Sequence, residues 1–510
     1  MLRRLPRPVL VVLAGVALAR ADVTVAPLFS DGAVLQRDGT LPIWGRAEPG
    51  EKVTIAFAGQ RREATPGPDG RWIALLDPMP ATTTGAELTI TGRNTVIIRD
   101  VVVGDVWLCS GQSNMEWPVA RSDLAEREIA TANFPLIRHV KVEHTVAPAP
   151  ADTAKTTGWL AATPQTVGAF SGVAYFFARE LQPKLAVPIG LVNASWGGTP
   201  VEAWMSPAAL AADPAFRVVD ARWEQTLAEF PARQAGFESA DASWLAAEAA
   251  AKAKGRPAHE AFLRQTPRPR APVGPGHPWT PRALFNGMVH PLVPYGLRGV
   301  LWYQGENNVD RPAEYHALFS ALITSWRSHF GQPELPFFWV NLAAFRYPND
   351  PSGVLAAALR EAQTRTLALP HTGQAIAIDV GNANDIHPTN KQEVGRRLAL
   401  LAKHRLFGFI GDDTGPTFAG ATREGSALRV RFTHAGGLIA YHKPVQAVQV
   451  AGADRVFHAA QAKIAGETLL VSSPAVREPV AVRYAWANAP EANLYNGAGL
   501  PAVPFRSDDW

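Results

Sequence analysis

Three grammars of apolar and polar positions follow one another along the chain. From Val23 to about Asp100, short β-rich runs such as Val53-Thr54-Ile55-Ala56-Phe57 and Arg71-Trp72-Ile73-Ala74-Leu75, with later runs at 88–91 and 96–98, are broken by Gly50, Gly59 and the Pro68-Asp69-Gly70 turn. This spacing predicts hairpins and a small antiparallel β-sandwich over residues 22–100. From Val101 to about Phe409 the runs become continuously apolar, as in Ile189-Gly190-Leu191-Val192, Gly299-Val300-Leu301-Trp302-Tyr303, Phe337-Phe338-Trp339-Val340 and Ala375-Ile376-Ala377-Ile378, and they alternate with helical patterns. Strands buried on both faces read this way, so residues 101–410 are expected to form a parallel sheet covered on both sides. The clearest helix follows Pro312: counted from Tyr315, Leu318, Phe319, Leu322, Ile323 and Trp326 fall at offsets of three, four, seven, eight and eleven, and Gly331 marks its stop. Further helices are predicted at 173–181, 354–366 and 392–404. An Ala-rich, charged insert over about 210–281 ends in a proline-laden stretch and reads as a surface excursion without chemistry. Alternation of the β type returns after Gly411, as at 428–432 and 481–484, and predicts a second β-rich domain over 411–510.

Composition adds two restrictions. The 510 residues suffice for about three domains, and 47% apolar with 18% charged residues is ordinary for a globular chain. The sequence pI of about 9.2 suggests a polyanion partner, but Arg3, Arg4, Arg7 and Arg20 sit in an N-terminal segment with the features of an export signal. That segment has a basic start, an apolar core over 9–18 and the small-x-small ending Ala19-Arg20-Ala21, so cleavage after Ala21 and a periplasmic or secreted product are expected. Removing residues 1–21 leaves 45 basic against 45 acidic residues, and the case for nucleic acid falls away. The apolar core is about ten residues long, short of the roughly 20 needed to span a bilayer, so no stable membrane span is expected after cleavage. Cys109 is the single cysteine; it reads as a buried structural thiol, since it lies on a strand beside Trp107 and Leu108 with no identifiable base.

Chemistry concentrates where strands end. In Asp105-Val106-Trp107-Leu108-Cys109-Ser110-Gly111-Gln112-Ser113-Asn114-Met115 an apolar strand runs into a small turn displaying Ser113, at the edge where parallel sheets bind ligands. A serine nucleophile needs a base and a group to orient that base. Asp385-Ile386-His387-Pro388 supplies both, because residues two apart in extended backbone project to one side. Donors for a developing oxyanion are available from Ser195-Trp196-Gly197-Gly198-Thr199 and from Gln304-Gly305-Glu306-Asn307. No Cys/His cluster points to zinc, and no glycine loop to phosphate; no cofactor is expected.

Taken together, Gly111-Gln112-Ser113-Asn114-Met115, Ser195-Trp196-Gly197-Gly198-Thr199, Trp302-Tyr303-Gln304-Gly305-Glu306 and Asp385-Ile386-His387-Pro388 resemble the sialate O-acetylesterase family, a branch of the SGNH hydrolases that removes acetyl esters from sugars. The resemblance covers about 101–409 and extends to both flanking β-rich regions. It implies an α/β, flavodoxin-like SGNH hydrolase domain and a metal-free serine mechanism. By position, Ser113 is the nucleophile, His387 the general base and acid, and Asp385 the orienter. The Ser113 N–H, the N–H of Gly197 or Gly198 and the Gln304 side chain would form the oxyanion hole. Gln112, Asn114, Trp117, Trp196 and Glu306 are the positions expected to meet substrate, with Trp204 and Trp302 also beside the motif loops. The chain departs from the broader pattern in carrying Gln304 in the third block and Asn384, rather than an acid, three residues before His387.

The implied substrate is an acetylated carbohydrate, with sialate, xylan and xyloglucan esters all open. A carbohydrate-binding protein without turnover and a less selective lipase or thioesterase are the rival readings. Pairing Glu306 with Asp385 or Glu116 would give the two carboxylates of a glycoside hydrolase, but a glutamate after a glycine turn is read more simply as a brace between loops. Oligomeric state is not legible.

Overall fold

The computed structural model describes residues 22–510 apart from His442; the expected export signal lies outside the described residues. At its centre is a seven-strand sheet: β1 (Thr95–Gly111), β2 (Phe134–Lys141), β3 (Leu160–Ala162), β4 (Ile189–Ser195), β5 (Gly299–Tyr303), β6 (Phe337–Asn341) and β7 (Thr372–Ile376). The order is β3-β2-β4-β1-β5-β6-β7. Every neighbour pair is parallel except the edge pair β3–β2, so the sheet is mixed.

Period-two alternation sorts its side chains between two cores. Val106, Leu108, Val300, Trp302, Phe337 and Trp339 join one of them, while Trp107, Cys109, Leu301, Tyr303, Phe338 and Val340 join the other. Helices cover each side. After the one-turn α1 (Ser113–Glu116), α2 (Gly172–Leu185) packs on the Trp107 face, capped by the Ser171 hydroxyl accepting from the Ala174 N–H. The insert forms α3 (Arg217–Ala253) and α4 (Arg256–Gln265). α5 (Pro312–His329), with proline in its first turn, and α6 (Leu355–Arg365) cover the Trp302 face. α7 (Lys391–Leu406) joins α2 on the other.

Two features depart from the sequence pattern. β1 is a single 17-residue strand that runs through the boundary placed at residue 100. Its first half pairs antiparallel with Thr82–Thr91 and its second half is the middle of the parallel sheet. Asp105 marks the join: its buried carboxylate is held by Arg37 at 2.9 Å and Arg298 at 2.8 Å. The apolar run at 375–378 leaves the sheet at Ile376, and Ile378–Val380 forms a 3₁₀ turn. That turn delivers Asp379 to the buried Arg397 guanidinium, with two bonds of 2.6 and 2.7 Å.

Before β1, Thr24–Val25, Leu41–Arg46 and Arg71–Leu76 form a three-stranded sheet against the strands that extend β1. After Phe407, residues 417–506 form two four-stranded antiparallel sheets and a two-stranded ribbon. Arg360 on α6 ties this region to the core. Its buried guanidinium donates to the carbonyls of Leu342, Ala343, Ala487 and Asn488 at 2.7–2.9 Å.

Register sets the site. Gly111 pairs with Ser195 on one side and Tyr303 on the other, so the loops after β1, β4 and β5 leave the sheet at one level. Gly111 has a φ of 130°, and a Cβ there would stand 2.2 Å from the Tyr303 carbonyl oxygen, so only glycine lets the chain turn there.

Candidate active site

Ser113 opens α1, two residues beyond Gly111, with Gln112 in extended conformation before it. As the first helical residue it has no intrahelical acceptor for its N–H. The His387 Nε2 lies 2.9 Å from Ser113 Oγ across 274 residues of sequence. A neutral imidazole with its proton on Nδ1 accepts the hydroxyl proton in this geometry.

Asp385 stands less close than an orienting acid in a tight triad. Its Oδ1 is 3.6 Å from His387 Nδ1 and 2.9 Å from the His387 backbone nitrogen, so the carboxylate accepts chiefly the main-chain N–H. The carboxylate is also half exposed. The ring has a second support: Trp117 stacks on it with centroids 4.9 Å apart and planes 17° apart. The indole is fixed in turn by donating from Nε1 to the Arg121 carbonyl at 2.8 Å. Burial and the Lys391 charge push the His387 pKa below its usual range; Asp385 opposes them and Arg121 adds to them.

On the other side of Ser113 the loop after β4 comes into contact. A Cβ placed on Gly197 would be 3.2 Å from Ser113 Cβ, so glycine lets this backbone lie against the serine. The Gly197 N–H, expected to face an oxyanion, instead donates to Glu116 Oε2 at 2.9 Å. Glu116 Oε1 is also held by Lys141 at 3.0 Å and His144 at 2.9 Å. Burial alone would raise its pKa, but the bonds from His144, Lys141 and Gly197 outweigh it and hold the carboxyl at about 2. Gly198 is exposed. Among the described residues, no acceptor engages the N–H of Ser113 or of Gly198, so both are unpaired backbone donors.

Several expected substrate contacts lie behind the site instead. Gln304 is fully buried, its amide nitrogen bound to Thr199 O and Asn308 Oδ1, so it is a scaffold residue with no donor to offer an oxyanion. Gln112 is buried, and its side-chain Oε1 accepts from the Gly305 and Asn307 N–H groups at 3.2 and 3.3 Å. Asn114 is buried as a bridge: Nδ2 donates to Glu306 Oε1 at 2.5 Å and Ile386 O at 3.0 Å, and Oδ1 accepts from Lys391 Nζ at 2.5 Å. The Ile386 bond ties the histidine loop to the serine turn. Burial raises the Glu306 pKa and lowers that of Lys391 to about 7. Glu306 thus braces the serine turn through Oε1, while its buried Oε2 has no hydrogen-bond partner among the described residues. Trp204 and Trp302 are fully buried, whereas Trp196 is half-buried and stacks on His144 at 4.1 Å. Cys109 is buried, and burial pushes its thiol pKa up.

Ser113 and His387 open onto a cleft of about 740 Å³ shared with Glu116, Trp117, Arg121 and Lys141. A larger groove of about 950 Å³ lies between the two C-terminal sheets and contains none of these residues. Among the described residues, no group of three or more His, Cys, Asp or Glu side chains converges as a metal site would. Sequence reasoning passed over Lys141, His144 and Lys391. Two signals pointed to them: the end of β2 is another strand end on the ligand-binding edge, and a lysine opening α7 runs against the helix dipole.

A family model described as carbohydrate esterase, sialic acid-specific acetylesterase, matches residues 103–230 and 279–403. A sialate O-acetylesterase of Rattus norvegicus is 33% identical over 448 residues, 79% of this chain and 78% of that protein. One from Mus musculus is 30% identical over 529 residues, 92% of each chain. A solved carbohydrate acetylesterase from Xanthomonas citri is similar at 37% identity and a TM-score of 0.81, covering 96% of this chain and 100% of that one. With Ser113 and His387 joined at the edge of the sheet and similarity running the length of the chain, the protein is an esterase belonging to the sialate O-acetylesterase family.

Proposed function

We propose that the protein is an exported carbohydrate O-acetylesterase that works through a serine acetyl-enzyme. The observation that carries this reading is the 2.9 Å contact of His387 Nε2 with Ser113 Oγ at the mouth of an open cleft. Ser113 Oγ attacks the acetyl carbonyl as His387 takes its proton. The N–H groups of Ser113 and Gly198 receive the negative oxygen. As the tetrahedral state collapses, His387 returns the proton to the departing sugar hydroxyl. Water, activated by the same imidazole, then attacks the acetyl-enzyme and releases acetate. Trp117 stacking and the Asp385 carboxylate keep the ring aligned through both halves.

The two β-rich regions are read as accessory domains flanking an SGNH-type catalytic core, and residues 1–21 as the export signal. Acetylated sialoside, xylan and xyloglucan are the candidate substrates. The exposed Arg121 guanidinium, 3.9 Å from the Trp117 ring centroid at the cleft, makes an anionic sugar the first to test.

The test is acetate release from p-nitrophenyl acetate and from the three acetylated glycans, comparing the mature protein with Ser113→Ala. Release lost in the variant supports the serine mechanism and the best glycan names the substrate. Turnover that survives the substitution, or equal rates on butyryl and acetyl esters, would overturn the reading. Glycan retention without any ester turnover would transfer it to a binding protein.

A further inference from the structure

The helical insert is a surface excursion whose end returns to the core. α3 and α4 form a hairpin held by Trp244 against Phe262, with centroids 5.5 Å apart, and by the Arg268–Asp241 pair at 2.7 and 2.9 Å. At 37 residues, α3 is about 55 Å long, and Val219 is its one buried residue. The chain then returns through a closed turn in which the Thr280 N–H donates to the His277 carbonyl at 2.9 Å. This turn places Trp279 on the catalytic core. Its Nε1 donates to the Gly198 carbonyl at 2.6 Å, and Asn307 Nδ2 donates to the same oxygen. Arg282 secures the return, with its N–H on the Glu202 carbonyl at 2.9 Å and its guanidinium on Asp220 at 2.7 Å.

Trp279 is thus anchored through its nitrogen, with the His277 ring set T-shaped against the indole at 5.4 Å between centroids. The residue is 37% exposed although its nitrogen is bonded. It sits on Gly198, next in sequence to Gly197, where an added Cβ would stand 3.2 Å from the Ser113 Cβ, so the loop that Trp279 pins is the one that lies against the serine. The family model stops at residue 230 and resumes at 279, so most of the hairpin that delivers Trp279 lies outside the shared core.

We propose that Trp279 is a substrate-binding residue, the platform of a sugar subsite that holds the carbohydrate part of the ester against the Gly198 loop. The inference rests on the carbohydrate-esterase reading above. A flat aromatic face carries partial negative charge that suits the C–H face of a pyranose, and an indole already fixed by its N–H loses little freedom on binding. Acetyl transfer itself does not need this contact, so its contribution appears with glycan substrates and falls mainly on KM.

The experiment compares wild type with Trp279→Ala, Trp279→Phe and Trp279→Leu on p-nitrophenyl acetate and on the acetylated sialoside, xylan or xyloglucan turned over best. Trp279→Ala is expected to lower kcat/KM on the glycan about tenfold more than on p-nitrophenyl acetate, chiefly through KM, with Trp279→Phe recovering most of the loss. If Trp279→Ala fails to fold, the Phe and Leu variants carry the comparison, since leucine fills space without offering an aromatic face. Equal losses on both substrates, or a Phe variant as impaired as the Ala or Leu variant, would overturn the subsite and leave Trp279 as a pin for the loop. Ser113→Ala separates the two readings. Hydrolysis of p-nitrophenyl acetate that survives it defeats the esterase reading, whereas hydrolysis lost without any glycan-specific effect at Trp279 defeats only the subsite.

Discussion

The loops on either side of Ser113 are secured by different physics. The Gly197 loop is held from behind by the Glu116 carboxylate, which stays ionised because Lys141, His144 and a backbone N–H all donate to it. The His387 loop turns its own carboxylate, Asp385, outward, and relies on a stacked indole in front and the Asn114 amide behind. A charge with three donors gives one preferred position, whereas stacking resists tilt and tolerates sliding. The Gly197 side of the site is therefore fixed by charge, and the His387 side by stacking and neutral hydrogen bonds.

The comparison can be broken on its charged side first. Glu116→Ala frees the Gly197 N–H and strands Lys141 and His144, so kcat on p-nitrophenyl acetate is expected to fall about 100-fold through a displaced loop. A loss within a few-fold would mean that the loop holds its place without the charge. Next comes the base side. Trp117→Ala is expected to cost roughly ten- to a hundredfold in kcat. Asp385→Asn should cost less than about tenfold, far below the ~10⁴ typical when a buried orienting carboxylate is neutralised. Should Asp385→Asn prove the more damaging of the two, the acid and not the indole would be the orienter.

The smallest expected effect is on pH dependence. His387 must be neutral to accept the serine proton, so activity rises as pH climbs through its pKa, and burial with the nearby Lys391 charge places that pKa below the usual ~6.5. The acid limb of kcat/KM should accordingly lie below pH 6.5. Lys391→Met removes the repelling charge and should move that limb upward. A limb that stays in place would show that Lys391 acts only through its bond to Asn114.

The folding of this chain was legible wherever a short stretch carries its own pattern. Helix α5 begins at Pro312 and ends before Gly331, where the 3.6-residue period placed it. The strand at Gly299–Tyr303 coincides with its apolar run. The apolar run at 375–378 predicts a strand there, and the strand ends at Ile376. An apolar run does not reveal that Asp379, in the turn that follows, pairs with Arg397 on another element.

The local sequence determined the strand and helix periods, the turns at their ends and the loops in which Ser113 and His387 each stand, because each is written within a few residues. Tertiary structure decided which polar groups face the cleft. Gln304 and Gly197 have donors that suit an oxyanion, yet both are committed to protein partners, Gly197 to a carboxylate 81 residues away. Lys391 reaches Asn114 across 277 residues, and Trp279 reaches Gly198 across 81. A hydrogen bond depends on angstrom-scale placement of two side chains, and for groups so far apart in the chain that placement is set only when the sheet register and the packing of loops upon it are complete.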